Sequence, residues 1–144
     1  MMNKVVLSTF AGVAAAALLG TVAQAEPTAV PLNGEATVGG VQVGCTGIGQ
    51  SRHDPKWAAF PVRIDFAKPN GHFLADVEVT LSRADGTEMA DVSCQGPQVL
   101  FKLPAGSYRV EGRLTKSPNA KPQTATVTAA TSGQRVTTLR FRDA

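Results

Sequence analysis

The chain has 144 residues, with 14 Lys and Arg against 11 Asp and Glu, two Cys, one Trp and one Tyr. That length holds one small domain and excludes a two-domain nucleotide enzyme or an eight-stranded α/β barrel. The formal charge of +3 comes, Lys4 apart, from cations scattered singly between Arg52 and Arg142 without a run or stripe, so nucleic-acid binding has no electrostatic footprint.

Lys4 precedes an apolar run from Val5 to Leu19, followed by Gly20-Thr21-Val22-Ala23-Gln24-Ala25. Small residues stand at the first and third positions before a cut ahead of Glu26. This is the layout of a secretory signal peptide over residues 1–25, with an apolar stretch too short for a comfortable membrane span. No Cys follows the run directly, which argues against lipid attachment. Removing 25 of 144 residues leaves 119, and 13 cations against 11 anions leave a charge of +2. The expected location is periplasmic or secreted.

Cys45 and Cys94 both fall in the exported part. In an oxidising compartment an even pair reads as a disulfide. Closing a loop of this size stabilises by about 4 kcal/mol in the chain-entropy model. Neither the close Cys pairs of metal sites nor the Cys-x-x-Cys of redox enzymes is present.

Residues 26–34, with Pro27 and Pro31, read as a flexible leader before a domain over 35–142. Val38, Val41 and Val43 then read as a first strand bent at Gly39-Gly40. Gly44 to Gly49 surrounds Cys45 with flexible backbone and runs into Ser51-Arg52-His53-Asp54-Pro55-Lys56-Trp57, the longest loop candidate, with one helical turn expected within Asp54 to Phe60. Val62, Ile64 and Phe66 alternate with Arg63 and Asp65; Pro69-Asn70-Gly71 marks a turn. Val77, Val79 and Leu81 alternate with Glu78, Thr80 and Ser82, and Asp85-Gly86 signals a hairpin into Thr87 to Cys94. Val99, Phe101 and Leu103 lead to a turn at Pro104-Ala105-Gly106, after which Tyr108, Val110, Gly112 and Leu114 face inward. Turns at Ser117-Pro118-Asn119 and Ser132-Gly133 separate the last strands, Gln123 to Thr128 and Gln134 to Arg142. The fold class expected is all-β, an antiparallel sandwich of seven to eight strands.

The segment Leu103-Pro104-Ala105-Gly106-Ser107-Tyr108-Arg109-Val110 resembles the Leu-Pro-x-Gly-x-Tyr-x-Val signature of transthyretin-like sandwich modules. Pro and Gly turn the chain, Leu103 and Tyr108 enter the core, and Val110 keeps the register. Phe73 to Leu81 followed by Asp85-Gly86 is similar to the preceding hairpin of the same module. Over residues 35–142 the chain resembles stand-alone bacterial carboxypeptidase regulatory-like domain proteins, including their Gly-Cys-x-Gly-Ile-Gly segment, here Gly44 to Gly49. That resemblance implies a transthyretin-like or immunoglobulin-like fold and an accessory, adhesive or ligand-binding role. Two departures limit it. The Tyr-Arg-Gly-Ser ending of the related hydroxyisourate hydrolases is replaced by Arg140-Phe141-Arg142-Asp143-Ala144, and no Lys occupies a convincing inward position for an isopeptide crosslink. The Cys45…Trp57…Cys94 order matches immunoglobulin domains in sequence alone, since Trp57 falls in a loop.

Candidate sites are few. Trp57, with Arg52 and Lys56 beside it, is a possible partner-binding group, because a loop aromatic can stack on a sugar or anchor a partner. The same Trp57, with Phe60 and Pro61, is expected to cap the open end of the core beneath the disulfide. His53, Asp54 and His72 form an alternative metal or small-ligand site, although two His in turns are ordinarily solvated. Ser51 and His53 lack the motif of a nucleophile–base pair, and Gly44 to Gly49 lacks the Lys-Ser/Thr ending of a phosphate loop. The expected function is a non-enzymatic, exported accessory or interaction module without cofactor, binding an unknown protein or envelope component. The alternative is a periplasmic carrier using His53, Asp54 and His72, and a hydrolase with an unrecognised site ranks third.

Overall fold

The computed structural model describes Gly12 and residues 26–144, so the expected signal peptide lies, Gly12 apart, outside the described residues. Ten strands follow: β1 (Thr28–Ala29), β2 (Gly34–Val38), β3 (Val41–Thr46), β4 (Val62–Ala67), β5 (Val77–Arg83), β6 (Glu88–Cys94), β7 (Gln98–Lys102), β8 (Gly106–Leu114), β9 (Gln123–Ala129) and β10 (Arg135–Arg140). They form two five-stranded sheets, ordered β1-β6-β5-β8-β9 and β10-β4-β7-β3-β2. The all-β sandwich expected from the alternating segments is therefore present.

Three features depart from the sequence reading. The sheets are mixed rather than antiparallel, because β1 lies parallel to β6 and β10 parallel to β4. The strand count rises to ten, partly because Gly39 and Gly40, with φ of 57° and 79°, close a two-residue hairpin between β2 and β3 instead of bending one strand. Part of the segment read as a leader belongs to the fold: β1 pairs with Val92 and Ser93, and Val30 is buried.

The remaining turns fall where the sequence placed them. Gly71 donates to Lys68 O, Gly86 to Arg83 O and Ala120 to Ser117 O. In the Asp85-Gly86 hairpin the Asp85 carboxylate accepts from the Thr87 N–H at 2.9 Å, and hydrogen bonds from Thr87 hold its pKa below the ordinary value.

The core lies between the sheets. Val43, Ile64, Phe66, Val99 and Phe101 from one meet Val77, Val79, Leu81, Val92 and Val110 from the other, all fully buried. Each such side chain contributes about 2 kcal/mol by leaving water. Phe141, just past β10, stacks on Phe66 with centroids 5.7 Å apart. The disulfide forms as expected between Cys45 on β3 and Cys94 on β6, and so staples one sheet to the other across 49 residues of sequence.

One connection positions the candidate site. Strands β3 and β4 both run antiparallel to β7 and hence parallel to each other. Parallel strands cannot be joined by a hairpin; the chain must return along the sheet before starting the second one. Residues 47–61 do so through two short 3-10 segments, Gln50–His53 and Pro55–Ala59.

Candidate interaction surface

The side of the second sheet turned away from the core is built from the alternate residues of its strands. Arg63 and Leu100 are register partners, as are Gly44 and Leu100, and Val136 pairs with Arg63. This row therefore runs Val136, Arg63, Leu100, Gly44 and Glu35 across all five strands. The next row contains Asp65, Gln98 and Thr46, all buried despite their polarity.

The returning chain lays Trp57 onto this side. Its six-membered ring covers Gly44: a Cβ there would stand 2.6 Å from Trp57 Cζ3, so only a glycine admits the indole. Trp57, Phe60 and Leu100 make a second apolar cluster, separate from the main core, with the two aromatic centroids 5.7 Å apart. Trp57 Nε1 donates to Ser51 O at 2.8 Å, which satisfies the one polar atom of a ring that is 4% exposed. The Gln134 amide donates to Trp57 O and Phe60 O at 2.8 and 3.0 Å, tying the segment to the start of β10. Asp54 accepts from the Lys56 N–H at 2.9 Å and starts the second 3-10 segment, with Pro55 at its first position.

Trp57 is thus a cap, but over the outer side of the second sheet instead of the open end of the core. Its indole is closed to stacking in this conformation. What it presents is the segment's exposed charge: Arg52 and Lys56 are both exposed. Lys56 Nζ stands 4.5 Å from the Trp57 centroid and donates to Asn33 O, while Lys102 Nζ stands 4.9 Å from the Phe60 centroid. Two ammonium groups over two rings gain cation–π attraction of about 0.5–1 kcal/mol each at exposed sites. Arg63 is engaged instead by a two-point ion pair with Asp65, at 2.9 and 3.1 Å.

The histidines are placed separately by their hydrogen bonds. His53 Nε2 accepts from Arg52 Nε at 3.1 Å within the first 3-10 segment, whereas His72 lies in the β4–β5 loop, its N–H donating to Asn70 Oδ1. Among the described residues no group of three or more His, Cys, Asp or Glu is arranged to hold a metal ion.

Apolar exposure is uneven. Among the described residues the exposed large hydrophobics are Ile48, Phe73 and Val136, at 45%, 46% and 47%. All three belong to the second sheet or its loops: Ile48 follows β3, Phe73 bridges to Ala67 at the end of β4, and Val136 stands on β10. The first sheet turns a charged outer side to water. There Arg113 pairs with Glu78, Asp91 and Glu111 at 3.0–3.4 Å and donates to Thr80 Oγ1. Partial burial opposes its charge, yet the bonds to Glu111 and Glu78 and the charge of Asp91 hold the guanidinium above its ordinary pKa. A cleft of about 460 Å³ beside the disulfide is lined by Val30, Leu32, Asp76, Glu78 and Cys94 among others, and includes none of Arg52, Lys56 and Trp57.

The sequence named Arg52, Lys56 and Trp57 but missed Leu100, Gln134 and Phe73 as parts of the same surface. A readable signal existed for Leu100: Val99-Leu100-Phe101 is a continuous apolar run, the mark of a strand covered on both sides. No protein-family model matches this chain, and no curated protein matches it. Among the described residues no helix is long and apolar enough to cross a membrane, and the disulfide is consistent with an extracytoplasmic location.

Proposed function

We propose that the chain is an exported, non-enzymatic interaction module of the cell envelope, related to stand-alone carboxypeptidase regulatory-like sandwiches. It meets its protein or envelope partner with the outer side of the β10-β4-β7-β3-β2 sheet. The observation that carries this reading is the confinement of the exposed Ile48, Phe73 and Val136 to that sheet and its loops. Apolar groups left in water beside polar and cationic ones are the usual composition of a recognition surface. The pinned 3-10 segment suits the role, because the backbone that carries Arg52 and Lys56 is tied down between Ser51 and Trp57 before binding and loses less freedom on contact.

The kinship rests on the motif and on how its residues are used. Leu103 and Val110 are buried, and the Tyr108 hydroxyl donates to Pro104 O at 2.7 Å, locking the turn that the motif encodes. Such a tyrosine clamp on upstream backbone recurs in β-sandwich domains of unrelated function, so it supports the fold relation and leaves the partner to experiment.

The test is fractionation of cells expressing the full chain with Phe73→Asp and Val136→Asp together. The expected result is a shift of the folded protein from the envelope-bound to the free exported fraction. Ser107→Asp, at an exposed position on the outer side of the other sheet, serves as the control and leaves the distribution unchanged. Equal distribution of all three proteins would contradict the reading.

A further inference from the structure

Four strands end the two sheets: β1 and β9 in one, β10 and β2 in the other. An unpaired edge invites another strand, and proteins that avoid this place Lys, Pro, a bulge or a charge there. Strand β1 has two residues, β2 carries Glu35, and β10 begins and ends with Arg135 and Arg140. Strand β9, Gln-Thr-Ala-Thr-Val-Thr-Ala from Gln123 to Ala129, is seven residues long and has no charge and no proline. Its register with β8 runs unbroken from Gly106↔Ala129 to Gly112↔Gln123, so no bulge turns it away. Among the described residues, no backbone hydrogen bond outside the β8 ladder reaches it.

We propose that β9 is a self-association edge, and that its occupant is β9 of a second copy of this chain, antiparallel and centred on Thr126. A two-fold pairing of this kind sets Thr126 against Thr126, Thr124 against Thr128, and Ala125 against Val127. The first two sets lie on the exposed side, where Thr124, Thr126 and Thr128 all face water, and threonine–threonine pairs are favourable across strands. The third lies on the core side, where Val127 is buried and Ala125 half-buried, so the apolar layer continues across the junction. Over the central five residues polar thus meets polar and apolar meets apolar, and only at the two ends does Gln123 meet Ala129. Charge selects this edge over β10, whose self-pairing would set Arg135 against Arg140, like charges that oppose pairing. An isologous contact also closes on itself, which gives a dimer instead of a fibre. This edge belongs to the sheet opposite the proposed partner-binding side, so the two readings stand or fall separately.

Sedimentation equilibrium of the exported protein over a range of concentrations tests the proposal. A monomer–dimer equilibrium is expected, weakened about tenfold or more by Thr126→Lys, which opposes two ammonium groups at the axis. Thr138→Lys, on the edge strand of the other sheet, leaves it unchanged. Thr126→Cys, a milder change, forms an interchain disulfide on oxidation. Far-ultraviolet circular dichroism of each variant confirms the folded state. A wild-type protein that stays monomeric at its highest soluble concentration would overturn the proposal, as would a dimer that Thr126→Lys does not weaken while Thr126→Cys fails to crosslink.

Discussion

Gly44 and Trp57 act as one unit, since a glycine on the outer side of a strand is what lets an indole lie flat on the sheet. The backbone at Gly44 has no positive φ to accommodate, so the requirement is for space alone. Gly44→Ala must lift the ring away from Leu100 and strain its bond to Ser51. The expected cost is about 1–3 kcal/mol in the unfolding free energy, the usual range for overpacking. Because Trp57 is the one tryptophan in the chain, its emission reports the change directly and should shift to the red. Unaltered stability and emission would contradict the contact. At this scale the sequence was informative about which residue mattered, since a lone Trp beside Gly-rich backbone stands out. The surface it covers was not legible, because that depends on which strands β3 and β4 border.

Strands with clean alternation were legible as elements. In β4, β5 and β8 apolar side chains recur every second residue, and a pleat leaves them one way to face. The parallel edge strands were not. Strand β1 is two residues between prolines, too short for periodicity, and the apolar residues of β10, Val136 and Leu139, are three apart and so give no alternation and no mark of its neighbour's direction. Pairing direction is fixed by the route of the connections. The chain crosses from β9 in one sheet to β10 in the other and so arrives alongside β4. Gly39-Gly40 was ambiguous for a different reason, since positive φ serves both a bulge and a tight hairpin. The participation of the N-terminal segment has a measurable consequence. Val30, with its N–H donating to Ser93 O, fills a buried position beside β6. Val30→Ala should lower the unfolding free energy by about 2 kcal/mol, as for other core truncations, when measured by denaturant titration. A change within a few tenths of a kcal/mol would mean that the segment is loose in solution.

The whole molecule is a sandwich with unlike outer sides. One is a lattice of charges around Arg113, satisfied within the sheet. The other is overlaid by a pinned loop, keeps Arg52 and Lys56 exposed, and is bordered by the exposed Phe73 and Val136. Composition could not reveal this asymmetry, because hydrophobic and charged residues alternate along strands of both sheets and only topology sorts them onto sides. The disulfide that joins the sheets was legible from an even pair of cysteines after an expected signal peptide, and it holds the two sheets in fixed relation. Site-specific photo-crosslinking in intact cells distinguishes a partner met on the β10-β4-β7-β3-β2 side from one met on the other. A photoreactive amino acid is placed singly at Phe73, Val136, Glu78 or Thr80 of the full chain, the last two lying on β5, away from the β9 edge. Discrete adducts at Phe73 and Val136, absent at Glu78 and Thr80, are the result expected. Adducts at Glu78 and Thr80 with none at Phe73 and Val136 would contradict a partner-binding side on the β10-β4-β7-β3-β2 sheet.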